Sequence, residues 1–405
     1  MSLIYTTENH DGELMKTKVL VVSDDEKLVP EIRKIEESVS QNTCFTFVTT
    51  EDEAKRLLGS EDFAVVCIEY STLKINGLEF LSFAKDKYPK VFRVLFTDPS
   101  KRERAVYSTA DVHRFINKPI RDQEFVKSIE HFQSLSKYDL DSKTISAILG
   151  IGPIPTMPEV YTRLEREINK PEVSIHRIAD IISNDPLAAA KVMHIVYSSF
   201  YNISKSIVNL VHAINFLGLD IIKSLVLYIK VFILKNQPPE IQNYLKKVRD
   251  HSIDVAKVSK AIMNLECKDR DLIDSAYIAG LLHDIGKIIM VQCSDKSKRM
   301  AFVSEHASDN QLEKEIEKFG VSHVNAGAYL LSSWGFPSEL ISSVANHHNT
   351  EIIRDGELGL NQIVYIANAL VTANDLCVDE IKKIYGVERV EGWMEFIPGQ
   401  LEELS

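Results

Sequence analysis

GLLHDIGK, residues 280–287, sets a histidine and an aspartate side by side in an apolar run. Ile278, Ala279, Leu281 and Leu282 precede the pair, and Ile285, Ile288 and Ile289 follow it. The pattern predicts one helix through the whole run. Burying a polar group among aliphatic side chains costs on the order of 2–7 kcal/mol unless it is paired or bound to a metal. Successive helical residues point about 100° apart. One helix therefore cannot close a site around His283 and Asp284, and other segments must bring further ligands.

The 405 residues suffice for two or three domains. An apolar fraction of 45% and a charged fraction of 26% are those of a globular protein. The net charge of −11 argues against nonspecific binding to DNA or to an anionic membrane. The five cysteines, Cys44, Cys67, Cys267, Cys293 and Cys377, are scattered and include no CxxC pair. This usage predicts reduced thiols in a cytoplasm, with neither a disulfide framework nor a zinc ribbon. The opening MSLIYTTENHDGELMK has no basic segment followed by an apolar core, so no signal peptide is expected. The most apolar stretch, DIIKSLVLYIKVFILKN (220–236), is interrupted by lysines and predicts a buried helix rather than a membrane span.

Residues 1–15 are polar and expected to be loose. From there to about residue 136 short apolar runs alternate with helical patterns. KVLVVSDDE (18–26), FTFVT (45–49), FAVVCIE (63–69), RVLFTD (93–98) and VHRFINK (112–118) read as strands. Residues 27–39, 51–60, 77–88 and 120–135 read as helices, the last with Phe125, Ile129 and Phe132 on one face. The alternation predicts an α/β, doubly wound, five-stranded parallel sheet, whose functional groups gather at the carboxyl ends of the strands. Asp24, Asp25, Glu69, Thr97 and Lys118 fall there. Carboxylates suit a hard cation such as Mg²⁺, and a hydroxyl and an ammonium suit phosphate oxygens.

Residues 137–153 form a linker rich in Gly, Pro and Ser, and beyond it only helical stretches follow. This predicts an all-α domain over 154–375, with Ser174 and Asp185 as helix N-caps and Pro186 at a first helical position. The tail, 376–405, is expected to pack on the core through Trp393, Phe396 and Ile397. His251, His283 with Asp284, His323, and His347 with His348 lie on separate helical stretches. Together they form a candidate set for a divalent metal, with Fe, Mn or Zn suited to imidazole and carboxylate.

Roughly residues 16–136 resemble the receiver domain of bacterial two-component response regulators. The resemblance rests on Asp24–Asp25, Thr97, Phe115, Lys118–Pro119 and Gly77, eight residues after position 69. It implies a flavodoxin-like fold and a phosphate acceptor at position 69, where this chain has Glu69. A glutamate is one methylene longer than aspartate, so no phosphorylation is expected there. The domain would be either a permanently charged mimic or a binding or dimerising module.

Roughly residues 145–375 resemble the HD superfamily and, more closely, its HDOD group. The matching pieces are IPTMPEV (154–160), IADIISNDPLAAAKVM (178–193), HAINFLGLDIIKSLVL (212–227), HSIDVAKV (251–258), AGLLHDIGK (279–287), HVNAGAYLLSSWGFP (323–337) and VANHH (344–348). The resemblance implies metal ligands at His251, His283, Asp284, His323 and His347 or His348, used in the superfamily for phosphohydrolase chemistry. Three positions depart from the pattern. Asn368 stands where an aspartate is expected, with Asp375 seven residues on along the same helical face. HHNT replaces an acidic residue and a GYP loop, and Tyr197 replaces an asparagine.

The expectation is a cytoplasmic signalling protein whose receiver-like domain controls a non-enzymatic HDOD output domain, with the 120–135 helix and the segment after it as the link. Expected partners are other signalling proteins, a second copy through the receiver, and a nucleotide or cyclic dinucleotide. DNA, membrane and organic cofactors are not expected. The alternative is a metal-dependent phosphohydrolase acting on a nucleotide or cyclic dinucleotide.

Overall fold

In the computed structural model, the strand run KVLVV becomes β1 (Thr17–Val22), with Val19 to Val22 wholly buried, as a strand covered on both faces must be. The structure describes residues 17–36, 43–70, 76–98, 111–135, 158–197, 207–219, 221–223, 238–293, 311–354, 356–373 and 375–396, with isolated positions between. The expectations for residues 1–15 and for Ile397 lie outside the described residues, as do nearly all of the linker and most of the apolar 220–236 stretch.

After β1 come α1 (Leu28–Glu36), β2 (Thr43–Val48), α2 (Glu51–Ser60), β3 (Val65–Glu69), α3 (Gly77–Lys87), β4 (Phe92–Thr97), β5 (Arg114–Asn117) and α4 (Asp122–Ser134). The five strands form one sheet in the order β2-β1-β3-β4-β5, and every pair is parallel. This is the flavodoxin-like doubly wound arrangement. β5 is shorter than VHRFINK suggests. Helix α4 packs Phe125 near Phe45 and Phe96, with ring centroids 6.0 and 5.9 Å apart. The strand order reverses beside β1, between β1 and β3, and it is there that Ser23, Asp25 and Glu69 emerge. The chain returns to this edge at Gly77, where a Cβ would lie 1.9 Å from the Glu69 carbonyl oxygen.

The rest of the described chain contains helices and no strand. They are α5 (Pro158–Ile168), α6 (Ile175–Ser183), α7 (Pro186–Tyr197), α8 (Leu210–Leu217), α9 (Pro239–Glu266), α10 (Arg270–Leu282), α11 (Ile285–Cys293), α12 (Gln311–Phe319), α13 (His323–Ser333), α14 (Ser338–Asn346), α15 (Leu360–Val371), α16 (Asp375–Tyr385) and α17 (Val387–Met394), with a 3₁₀ turn at Thr350–Ile353. The caps are those the residue types favour. Ser174 Oγ accepts from the Arg177 amide, and Asp185 Oδ1 accepts from the amides of Leu187 and Ala188 ahead of Pro186. In the tail Trp393 is buried and Phe396 is 38% exposed.

One helix is not as the sequence predicts. The run through GLLHDIGK breaks at His283 and Asp284, which sit between α10 and α11. The apolar period continues across the break, so the pattern hides it. The Asp284 carbonyl starts the new helix by accepting from the Lys287 amide at 3.0 Å. The two side chains at the break face one centre, with His283 Nε2 3.4 Å from Asp284 Oδ2.

By internal contacts the chain forms two compact units. One is residues 1–153 with 195–204 and 332–335; the other is 154–194, 205–331 and 336–405. No described helix is long and apolar enough to cross a membrane.

Candidate functional site

At the carboxyl edge of the sheet, Asp25, Glu69 and Lys118 meet. Lys118 Nζ donates to Asp25 Oδ2 at 2.9 Å and also to Glu69 Oε2. Ser23 Oγ donates to Glu69 Oε1, and the Lys27 amide donates to Asp25 Oδ1 at 2.9 Å. All four carboxylate oxygens of the pair thus have a donor, and none is left orphaned for a Mg²⁺ ion. Hydrogen bonds from Lys118 and the Lys27 amide hold the Asp25 carboxyl below its usual range. Burial alone would lower the Lys118 ammonium, but its bonds to Glu69 and Asp25 outweigh it and raise it.

Two residues of the expected set do not join. Thr97 is buried at the end of β4 with its hydroxyl on the Asp98 carbonyl at 3.4 Å, and Asp24 makes no hydrogen bond to the group among the described residues. Ser23, wholly buried, was not legible as a member. It reads as the polar end of an apolar strand.

The helical unit gathers all six residues of its expected set. His251 comes from α9, His283 and Asp284 from the α10–α11 break, His323 from the first residue of α13, and His347 and His348 from the end of α14. Asp284 is the centre. Its Oδ2 lies 3.4 Å from His283 Nε2 and 3.9 Å from His251 Nε2, and its Oδ1 lies 3.4 Å from His323 Nε2 and 3.5 Å from His347 Nε2. His348 lies beside His347, the rings tilted with centroids 4.3 Å apart, and is exposed. Ligand atoms of Asp284, His323, His347 and His348 all lie within 4.8 Å of one another, as do those of His251, His283 and Asp284. Helix α13 reaches the break because residue 286 is glycine; a Cβ there would lie 1.8 Å from the His323 carbonyl oxygen.

The outer partners decide what these rings present. His283 Nδ1 is 2.7 Å from the Gly280 carbonyl and His347 Nδ1 is 2.7 Å from the Val344 carbonyl. A carbonyl can only accept, so each ring donates at Nδ1 and, when neutral, is bare at Nε2. His323 Nδ1 faces Glu315 Oε2 at 2.7 Å, and Glu315 also accepts from the His323 amide. Burial lowers His251 and His347 to about 4 and keeps His323 well below its usual value, so these three imidazoles are neutral. Burial opposes charge on Asp284 too, but Lys287, 2.7 Å from its Oδ2, and His283 hold the carboxyl well below its ordinary value. Asp284 Oδ1 is buried without a hydrogen-bond partner. Bare nitrogens and an orphaned anionic oxygen facing each other at 3.3–3.5 Å are a donor set for a cation. The carbonyl and carboxylate contacts at Nδ1 are the outer shell that fixes such ligands.

Glu315 and Lys287 were not in the expected set. Glu315 could have been found: it falls three residues after Leu312 and four before Phe319, on the apolar stripe of α12. Asn368 Oδ1 lies 3.0 Å from His251 Nε2. The side chain of Asp375 lies outside the described residues.

A parallel sheet of this order with an acid–lysine cluster at its carboxyl edge, followed by helices converging on a His–Asp pair, defines a receiver-type module joined to an HD-type helical domain. Residues 154–350 match the HDOD domain family, and the chain carries an HDOD domain over that span. A protein of Treponema pallidum (strain Nichols), described as uncharacterized, is 23% identical over 206 residues, which are 49% of this chain and 38% of that protein. The chain thus spans well under half the length of that curated relative. Among solved structures, the MmoQ response regulator of Methylococcus capsulatus matches with a TM-score of 0.50 at 16% identity, over 60% of this chain and 97% of that one. A virulence factor of Campylobacter jejuni matches with a TM-score of 0.50 at 18% identity, over 65% of this chain and 96% of that one. At these identities the likeness is one of fold. In chain order, a receiver-type parallel sheet comes first and the HDOD match follows.

Proposed function

We propose that this is a cytoplasmic signal-transduction protein whose receiver is not switched by phosphorylation and whose HDOD domain acts by binding other signalling proteins. The observation that carries the first half is the state of Glu69: both its oxygens are engaged, by Ser23 and by Lys118. A carboxylate held this way is a poor nucleophile toward phosphorus, and its charge stands fixed beside the lysine. The front module then serves as a constant surface, open to pairing with a second copy. The test is incubation of the full chain with acetyl phosphate and Mg²⁺, followed by intact-mass and peptide spectrometry. No adduct is expected, and a phosphoryl adduct on Glu69 overturns the reading.

The second reading, a phosphohydrolase acting on a nucleotide or cyclic dinucleotide, is favoured by one observation, the orphaned Asp284 Oδ1 among His323, His347 and His348. Those four residues would hold a divalent metal such as Fe, Mn or Zn. When bound, it would supply Lewis-acid stabilisation of charge on phosphate oxygens. Lys287 offers an ammonium beside the same carboxylate, and exposed His348 leads from the cluster to solvent. Asn368 counts against turnover, because it brings no charge where an aspartate would. A hydrolysis screen with Mn²⁺, Fe²⁺ and Mg²⁺, with His283→Ala as control, separates the readings. Turnover in the parent that the control abolishes establishes the enzyme.

A further inference from the structure

The two sides of Asp284 are chemically unequal. We propose that the histidine cluster takes a single divalent cation, on the side of Asp284 Oδ1, His323, His347 and His348, and that Lys287 and Asn368 close the side of His251 and His283 to a second. The proposal rests on reading the cluster as a metal centre, and it adds where the ion sits and how many there are.

On the closed side each acceptor already has a partner. Lys287 Nζ donates to Asp284 Oδ2 at 2.7 Å, so a fixed ammonium stands against the oxygen a second cation would need. His251 Nε2 lies 3.0 Å from Asn368 Oδ1 and 3.3 Å from the bare Nε2 of His283. One proton on His251 Nε2 serves both, because an amide oxygen and a bare imidazole nitrogen can each only accept. Asn368 also brings no negative charge to offset an added cation so close to an ammonium. This half is satisfied by its own proton and its own cation.

The open side has neither. His347 donates at Nδ1 to the Val344 carbonyl and His323 holds Glu315 at Nδ1, which turns both Nε2 atoms, 3.3 Å apart, toward Asp284 Oδ1. That oxygen has no hydrogen-bond partner, and Lys287 bonds the other oxygen. Three imidazoles and one carboxylate are a complete four-ligand set for Zn²⁺ or a partial one for Mn²⁺ or Fe²⁺. His348, the exposed member, gives an ion its way in.

The experiment loads the full chain with Mn²⁺, desalts it, and measures metal by mass spectrometry alongside the Mn²⁺ electron paramagnetic resonance spectrum. About one ion per chain with an isolated-ion spectrum is expected. His323→Gln and His347→Gln should lose it, and His251→Gln should keep it. The double variant Lys287→Met with Asn368→Asp should rise to about two ions with a spin-coupled spectrum. Two ions in the parent chain, or loss of the ion in His251→Gln with retention in His323→Gln, overturns the proposal but leaves the metal centre standing. No ion in the parent overturns both. Circular dichroism melts show which variants fold, and if the His323 and His347 variants do not, the parent count and the gain in the double variant decide the question.

Discussion

Each unit of this chain places a carboxylate against a lysine, and the two places are finished to different degrees. In the sheet, Lys118 bridges Asp25 and Glu69, and Ser23 and the Lys27 amide take the remaining oxygens. In the helical unit, Lys287 takes one oxygen of Asp284, and the other is buried without a hydrogen-bond partner. A buried polar cluster is stable when its members satisfy each other and costly when they do not. The sheet site is therefore complete as a piece of protein, whereas the helical site calls for something from outside.

The comparison can be broken or sharpened by experiment. The largest effect is expected at the two close approaches. Gly286→Val and Gly77→Val each push a side chain into a backbone oxygen and should cost about 3 kcal/mol, read from urea unfolding. Only Gly286→Val should also lose metal. Next is removal of the ion. The loaded chain should exceed the chelator-treated chain by about 2.7 kcal/mol when metal is a hundredfold above its dissociation constant. Asp284→Ala should erase that difference, and a difference that persists would put the ion elsewhere. Third, Lys118→Met strands the charge of Glu69, which is 4% exposed. It should cost about 2 kcal/mol, below the range for wholly buried pairs because the lysine is part-exposed. Ser23→Ala should cost about 1 kcal/mol by leaving Glu69 Oε1 without its donor.

The smallest effect is a pH dependence in the sheet site. The Asp25 carboxyl is depressed in the folded protein by Lys118 and the Lys27 amide. Its contribution is therefore present above the ordinary value of 3.8 and is lost as pH falls through the lower folded value. Asp25 is about one-third exposed, so the contribution should be under about 1 kcal/mol. Asp25→Asn should flatten the acid limb of stability against pH by that amount, and an unchanged limb would show that its ion pair with Lys118 contributes nothing.

How much of this was legible in the sequence varied with the kind of signal. Strands covered on both faces are unbroken apolar runs ending in acids, so KVLVV and FAVVCIE declared the sheet and the edge where Asp25 and Glu69 lie. The six metal-type residues were legible as chemistry, since histidines recurring on separate helices around an HD pair have few cheaper explanations. Partners were harder to see. Ser23 and Thr97 are both hydroxyls at strand ends, and only the turn after β1 decides that the first bonds Glu69 and the second does not. The break at His283–Asp284 was hidden because the apolar spacing satisfies one long helix and two short ones alike. Nothing in the sequence marks Lys287 as a partner of Asp284, yet it lies buried against that carboxylate.

Helix α9 has 28 residues, a rod about 42 Å long, with His251 near its middle and Glu266 at its last turn. Glu266 receives both Arg389, through Nε and Nη2, and Trp393 Nε1. The far end of the rod is thus moored by the final described helix of the chain. A purification tag or fusion joined inside residues 387–394 would pull on that mooring and loosen the seat of His251 from a distance. Attachments belong at the opposite terminus, and a shortened version ending before Val387 should not stand in for the whole molecule.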